Sequence, residues 1–110
     1  MKEVSIGEFE ELVLLMVAAL HDEAYGVLIL QNLEEKLDKK VNISAIHVAL
    51  KRLEGKGLVH SHEGGITQDR GGRRKKFYVS TALGKKVLDR QYSLRTSLYA
   101  QIPNISFNNG

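Results

Sequence analysis

The segment DRGGRRKKFYV, residues 69–79, carries five cations within seven positions, Arg70, Arg73, Arg74, Lys75 and Lys76, with Gly71 and Gly72 between the first two. Guanidinium and ammonium groups at that density suit the neutralisation of phosphates on a polyanion, with release of its counterions. Glycine lets such a backbone lie close to a sugar-phosphate rail, and an arginine on such a loop can enter a narrow minor groove. Other chemistry is thin. His60 and His62 stand two apart, which on a strand puts them on one side, and a metal would need a third ligand such as His47 or His21. Exposed strand histidines are the commoner case, so neither a metal nor a cofactor is expected. The sequence has no cysteine, hence no thiolate nucleophile and no disulfide. It has no Gly-x-Ser-x-Gly elbow, and Gly71-Gly72 lacks the helix that a phosphate-cradling loop feeds. Glu63 and Asp69 flank a loop where no fixed, dry geometry would tune a general acid. These residues describe a binding protein and not an enzyme.

Composition narrows the partner. A chain of 110 residues, 43% hydrophobic and 26% charged, is one small globular domain with no repeat or low-complexity tract. The longest apolar run, LVLLMVAAL at 12–20, has nine residues, against the roughly 20 that cross a bilayer. Neither a membrane span nor a signal peptide is expected, and the reading is a cytoplasmic protein. The formal charge of +3 is unevenly spread: residues 1–38 hold nine acids against two bases, while residues 39–110 hold fourteen bases against four acids. The second part therefore suits a polyanion.

The elements that would position these cations follow from caps and periodicity. Ser5 and Glu8 are spaced as a capping box, with Val4 and Phe9 around it as a hydrophobic staple. Phe9, Leu12, Val13, Met16 and Leu20 fall on one helical face, and Leu14, Leu15 and Val17 widen it, so that a second chain could cover Leu14 and Leu15. Asp22 is placed to cap a second helix, whose Gly26, Ile29, Leu30, Leu33 and Leu37 share a face and which ends near Asp38. A third helix, 42–55, buries Ile46, Ala49, Leu50 and Leu53, with Asn42 or Ser44 capping its start and Gly55 and Gly57 ending it. Its opposite face carries Ser44, His47, Val48, Lys51 and Arg52. That face is basic and hydrogen-bonding, with one small apolar group able to meet a thymine methyl, and it suits the major groove. Asn42, at its start, joins the candidate contacts.

After this helix LVHSHE reads as a strand, GGITQDRGGRRK as a loop and KFYVS as a returning strand. The expected fold is mainly α with a small β-hairpin: a winged helix-turn-helix domain over 1–80, with the wing at 64–75, then a C-terminal dimerisation helix over 81–102 and a flexible tail over 103–110. In the last helix Val87, Leu94 and Leu98 form one apolar line, with Leu88, Tyr92 and Tyr99 beside it. Two adjacent stripes exceed what a domain of this size needs and favour pairing with a second copy.

The sequences GEFEELVLLMVAAL, EAYGVLI, ALKRLEGKGLV and RGGRRKKFYVSTALGKKVL resemble the PadR family of bacterial transcriptional regulators over about residues 6–90. The resemblance implies a dimeric winged-helix repressor, with an effector often bound near the interface made by the C-terminal helix. It adds Tyr25, at the start of the second helix, to the residues that would touch DNA. The family usually has tyrosine where this chain has His47. The leading expectation is a homodimeric repressor of a palindromic operator in double-stranded DNA, relieved by a small-molecule effector between the first and last helices. Tyr92 and Tyr99, with no tryptophan in the chain, argue against a large flat stacking site there. The alternative is a winged-helix protein-interaction module that uses its basic face on an acidic partner.

Overall fold

A computed structural model describes residues 4–66 and 74–105. The first helix, α1, spans Glu8–Leu20 and buries Val13, Leu14 and Val17. It begins later than Ser5 would have set it. Gly7 is the N-cap, and its N–H donates to the Glu10 carboxylate at 3.4 Å. Only the return half of a capping box exists, because glycine has no side chain to complete it. The Glu10 carboxylate lies here because the Lys56 ammonium holds it at 2.8 Å and also donates to the Ser5 carbonyl at 2.8 Å. A tertiary contact has moved the helix start. Val4 and Phe9 pack at the edge of the core.

A 3-10 turn, His21–Glu23, leads to an extended pair, Ala24 and Tyr25. The expected cap at Asp22 is therefore corrected: Tyr25 is the N-cap of α2, Gly26–Leu37, and no side chain caps that helix. The chain at 24–25 serves as a sheet edge instead, with the Tyr78 N–H donating to the Ala24 carbonyl at 2.8 Å and Tyr25 bridging antiparallel to Phe77. Ile29 and Leu33 bury α2, and Asp38 ends it in the left-handed region at φ 54°. The connection is tied back by the Val41 N–H, which donates to the Glu34 carboxylate at 2.9 Å.

The third helix, α3, spans Ile43–Gly55 and buries Ile46, Ala49, Leu50 and Leu53, as its periodicity predicts. Asn42 caps it, accepting from the Ser44 N–H at 2.7 Å. Gly57, at φ 76°, turns the chain so that the Leu58 N–H reaches the Leu53 carbonyl at 2.9 Å. Leu14, Ile29, Ile46, Leu50, Leu53 and Leu58 form the fully buried centre, each contributing about 1.5 to 3 kcal/mol on leaving water.

The hairpin is longer than its hydrophobic runs suggest. Strands β1, Val59–Ile66, and β2, Arg74–Ser80, pair antiparallel with His62 opposite Phe77 and an irregularity between Glu63 and Ile66. Cross-strand pairing carries the cationic start of β2 into the ladder, with Gly64 at its irregularity, although neither has strand-like composition. The last helix, α4, Ala82–Ala100, is capped by Thr81, whose hydroxyl accepts from the Gly84 N–H at 3.0 Å and donates to the Gly57 carbonyl at 2.7 Å. Val87 and Leu88 bury its first half in the common core, while every residue from Tyr92 to Ala100 is exposed. Three helices, a hairpin on a short extended edge and a protruding fourth helix make a winged helix-turn-helix fold with a C-terminal helix.

Candidate nucleic-acid interface

On α3 the five expected contact residues, Ser44, His47, Val48, Lys51 and Arg52, are all exposed, as are Ala45, Glu54 and Gly55. Asn42 is exposed too, but its side-chain oxygen is engaged as the cap. The His47 imidazole lies over the start of α2: a Cβ at Gly26 would meet its Cε1 at 3.0 Å. A small residue at 26 thus lets the outward side of α3 lie against the preceding helix. Arg52 Nη1 stands 3.9 Å from a Glu10 oxygen, yet its side chain remains 67% exposed and able to reach outward. The Glu10 carboxyl is held below the ordinary value of 4.5, first by the Lys56 hydrogen bond and then by the Gly7 N–H and the nearby Lys56 and Arg52 charges, against the opposing effect of burial. One anchored carboxylate therefore orders two cations at the end of α3.

On the hairpin, near the loop end of β2, the Lys75 ammonium lies 4.1 Å from the centroid of the Tyr25 ring, a cation–π distance. Tyr25 meets Phe77 edge-on at 5.7 Å and 82°, and His62 stacks on Phe77 at 5.7 Å and 22°. Lys76 points to the opposite face, 5.8 Å from the Tyr78 ring. Arg70 and Arg73 lie outside the described residues, and Arg74 opens β2. His60 and His62 share a face of β1, as their spacing predicts. Neither proposed third ligand joins them: His47 lies against Gly26, His21 sits beside Asp22 at 3.7 Å, and no metal-holding group of three ligands occurs among the described residues.

The residues expected at a dimer interface divide sharply. Leu14 is fully buried, and Val87 and Leu88 nearly so, within this chain's own core, so these three are corrected: they stabilise the domain and offer nothing to a partner. Leu15, Tyr92, Leu94, Leu98 and Tyr99 are all exposed. At the root of this surface Glu11, 12% exposed, accepts from Arg95 at 3.2 Å and Gln91 at 3.3 Å, fixing where α4 leaves α1.

The model of the family described as transcriptional regulator, PadR-like, matches residues 14–90, a span from mid-α1 to mid-α4 that takes in α3 and the whole hairpin. The chain belongs to the PadR-like family. It is a DNA-binding transcriptional regulator. A PadR family transcription regulator from Clostridium difficile has a similar structure, with a TM-score of 0.68 at 25% identity over 86% of this chain and 93% of that one. A PadR-like transcription factor from Bacteroides fragilis shares the fold at a TM-score of 0.70 and 24% identity, over 89% of each chain. The smu.1704 protein from Streptococcus mutans gives a TM-score of 0.64 at 30% identity, over 90% of this chain and 91% of that one. No curated protein sequence matches detectably. Among the described residues of this PadR-like chain, no helix is long and apolar enough to cross a membrane.

Several residues that shape the surface escape a reading by pattern. Glu10 and Glu11 look like ordinary first-turn acids, and their partners lie far along the chain. Gly26 and Gly64 matter for the atoms that press on them. Ile102, 48% exposed, lies just past the end of α4, four residues beyond Leu98.

Proposed function

We propose that this regulator is a homodimeric repressor of a palindromic operator, with α3 in the major groove and the wing, residues 64–75, on the phosphate backbone or in the adjacent minor groove. The observation that carries the reading is the outward side of α3, where Ser44, His47, Val48, Lys51 and Arg52 stand exposed on a helix whose other side is fully packed. Arg52 and Lys51 are the candidates for guanine edges, His47 for a base edge or phosphate, and Val48 for a thymine methyl. Lys75, Lys76, Arg74, Arg73 and Arg70 neutralise phosphates, and Tyr25 contacts the backbone from the start of α2. The far half of α4, through Tyr92, Leu94, Leu98 and Tyr99, joins Leu15 as the surface for the second copy. A small-molecule effector at that interface relieves repression by favouring an arrangement in which the two copies of α3 no longer match successive grooves.

The test is enrichment of genomic fragments on the purified protein, followed by sedimentation of the complex. The expected result is an inverted repeat whose half-sites lie about 34–36 Å apart or a multiple of it, with two chains on each. A single half-site bound by one chain would remove the dimeric reading. Equal, salt-sensitive binding to polyglutamate and to the enriched duplex would favour a module for acidic protein partners instead.

A further inference from the structure

Phe77 lies outside the hydrophobic core, yet the hairpin and the helix-turn-helix body meet at its ring. We infer that Phe77 is a positioning residue for DNA recognition, fixing the direction of the hairpin relative to α3 and so setting how strongly the protein prefers its operator over random DNA. The inference rests on the DNA-reading function proposed above.

Four contacts carry it. On the body side Phe77 pairs through its backbone with Tyr25 and meets that ring edge-on. On the hairpin side it is paired with His62 and stacked by it. Beneath it is Gly64: a Cβ there would fall 2.0 Å from Phe77 Cε2 and 2.6 Å from Cδ2, so the ring fills the space a side chain at 64 would need. Glycine weakens a strand interior, and a close approach of this kind is the physical reason for tolerating one. Fourth, Lys75, two residues before Phe77 and so on the same face of β2, rests its ammonium on Tyr25. Tyr25 adjoins Gly26, and Gly26 carries the imidazole of His47. A continuous path of packed groups thus runs from an outward residue of α3, through residues 26 and 25, to Phe77 and both strands.

On a duplex the phosphates met by the hairpin and the base edges met by α3 lie at fixed separations. A rigid join places both sets of groups together before binding, whereas a loose one must be ordered on the DNA, with a loss in affinity. The loss falls on the operator complex, in which both elements must be in register. Binding to random DNA depends on charge more than on register and is largely spared.

The experiment compares wild type, Phe77→Leu, Gly64→Ala and the double variant on two probes: a duplex enriched by the wild-type protein from a random pool, and a scrambled duplex of the same length. Phe77→Leu is expected to weaken binding to the enriched duplex about tenfold while changing the scrambled duplex by less than about twofold. Gly64→Ala should reproduce that loss by displacing the ring, and the double variant should be no worse than either alone, since both remove one contact. Thermal unfolding of each variant identifies any that fail to fold, and Gly64→Ala, which keeps every large side chain, then carries the comparison. An unchanged preference in a folded Phe77→Leu, or losses that simply multiply in the double variant, would overturn the positioning role while leaving DNA reading intact. Failure of the wild type to enrich any sequence would remove both.

Discussion

Helices α3 and α4 each bury one side in the same core and differ in what they leave outside. The outward side of α3 is polar and cationic and is content in water, so its value lies in meeting a polyanion. Past Gln91, the line that begins with buried Val87 in α4 continues as exposed Leu94 and Leu98, with Tyr92 and Tyr99 alongside and exposed Ile102 just past the helix end. Apolar surface gains about 25 cal/mol for each Å² it removes from water, so that half of α4 is complete only against another apolar surface. In the proposed function the two helices divide the labour between nucleic acid and a second copy.

The division can be broken first at what the helices share. Leu50→Ala removes a fully buried side chain of α3 and is expected to cost about 2 to 5 kcal/mol of unfolding free energy in chemical denaturation. Next, Leu94→Asp with Leu98→Asp places charge on the exposed half of α4 alone. Sedimentation should then show monomers that keep their helical content, with operator affinity down by about a hundredfold as joint binding of two half-sites is lost. A double variant that remains dimeric would put the interface elsewhere.

On α3, His47→Ala sharpens the comparison, because it leaves the core and α4 untouched. It should weaken binding to the enriched duplex by about 1 to 3 kcal/mol and hardly alter binding to scrambled DNA. Equal losses on both would mean that His47 does not read bases. The smallest effect is expected at Glu10. Its folded-state pKa is depressed, so its contribution is fully present above the unfolded carboxyl value and is lost as pH falls through the lower folded value. Glu10→Gln should cost about 0.2 to 1 kcal/mol at neutral pH and flatten the loss of stability with acid below about pH 4.5. A variant with the same acid limb as wild type would show that Lys56 and Arg52 do not depend on this carboxylate.

What the sequence revealed follows the same division. The core of α3 and its five outward residues were legible because helical spacing alone decides which side is apolar, and Asn42 was legible as a cap because its side chain bonds two residues away. Local signals failed where distant chain intervened. Lys56, forty-six positions away, holds Glu10, whose carboxylate accepts from the Gly7 N–H, and α1 starts at Glu8 with Gly7 as its cap. The pairing of residues 24–25 with β2 delays α2 to Gly26 and displaces Asp22 from its expected role as cap. Leu14, Val87 and Leu88 were assigned to an interface because apolar spacing shows that a face is buried without showing by what. Phe77 and Gly64 gave no sign of their contact, which exists only once β1 and β2 are in register.

The central claim, that α3 and the basic hairpin together bind duplex DNA, is tested most directly by the salt dependence of binding in wild type and in Arg73→Ala with Arg74→Ala. Affinity should fall steeply with salt, and the double variant, lacking up to four phosphate contacts per dimer, should flatten the log–log slope by about 3 to 4 units. Enriched and scrambled duplexes should weaken alike, since phosphate contacts carry little sequence information. An unchanged slope and unchanged affinity on both duplexes would contradict the account, leaving the cations of the hairpin as solvated charge with no part in binding.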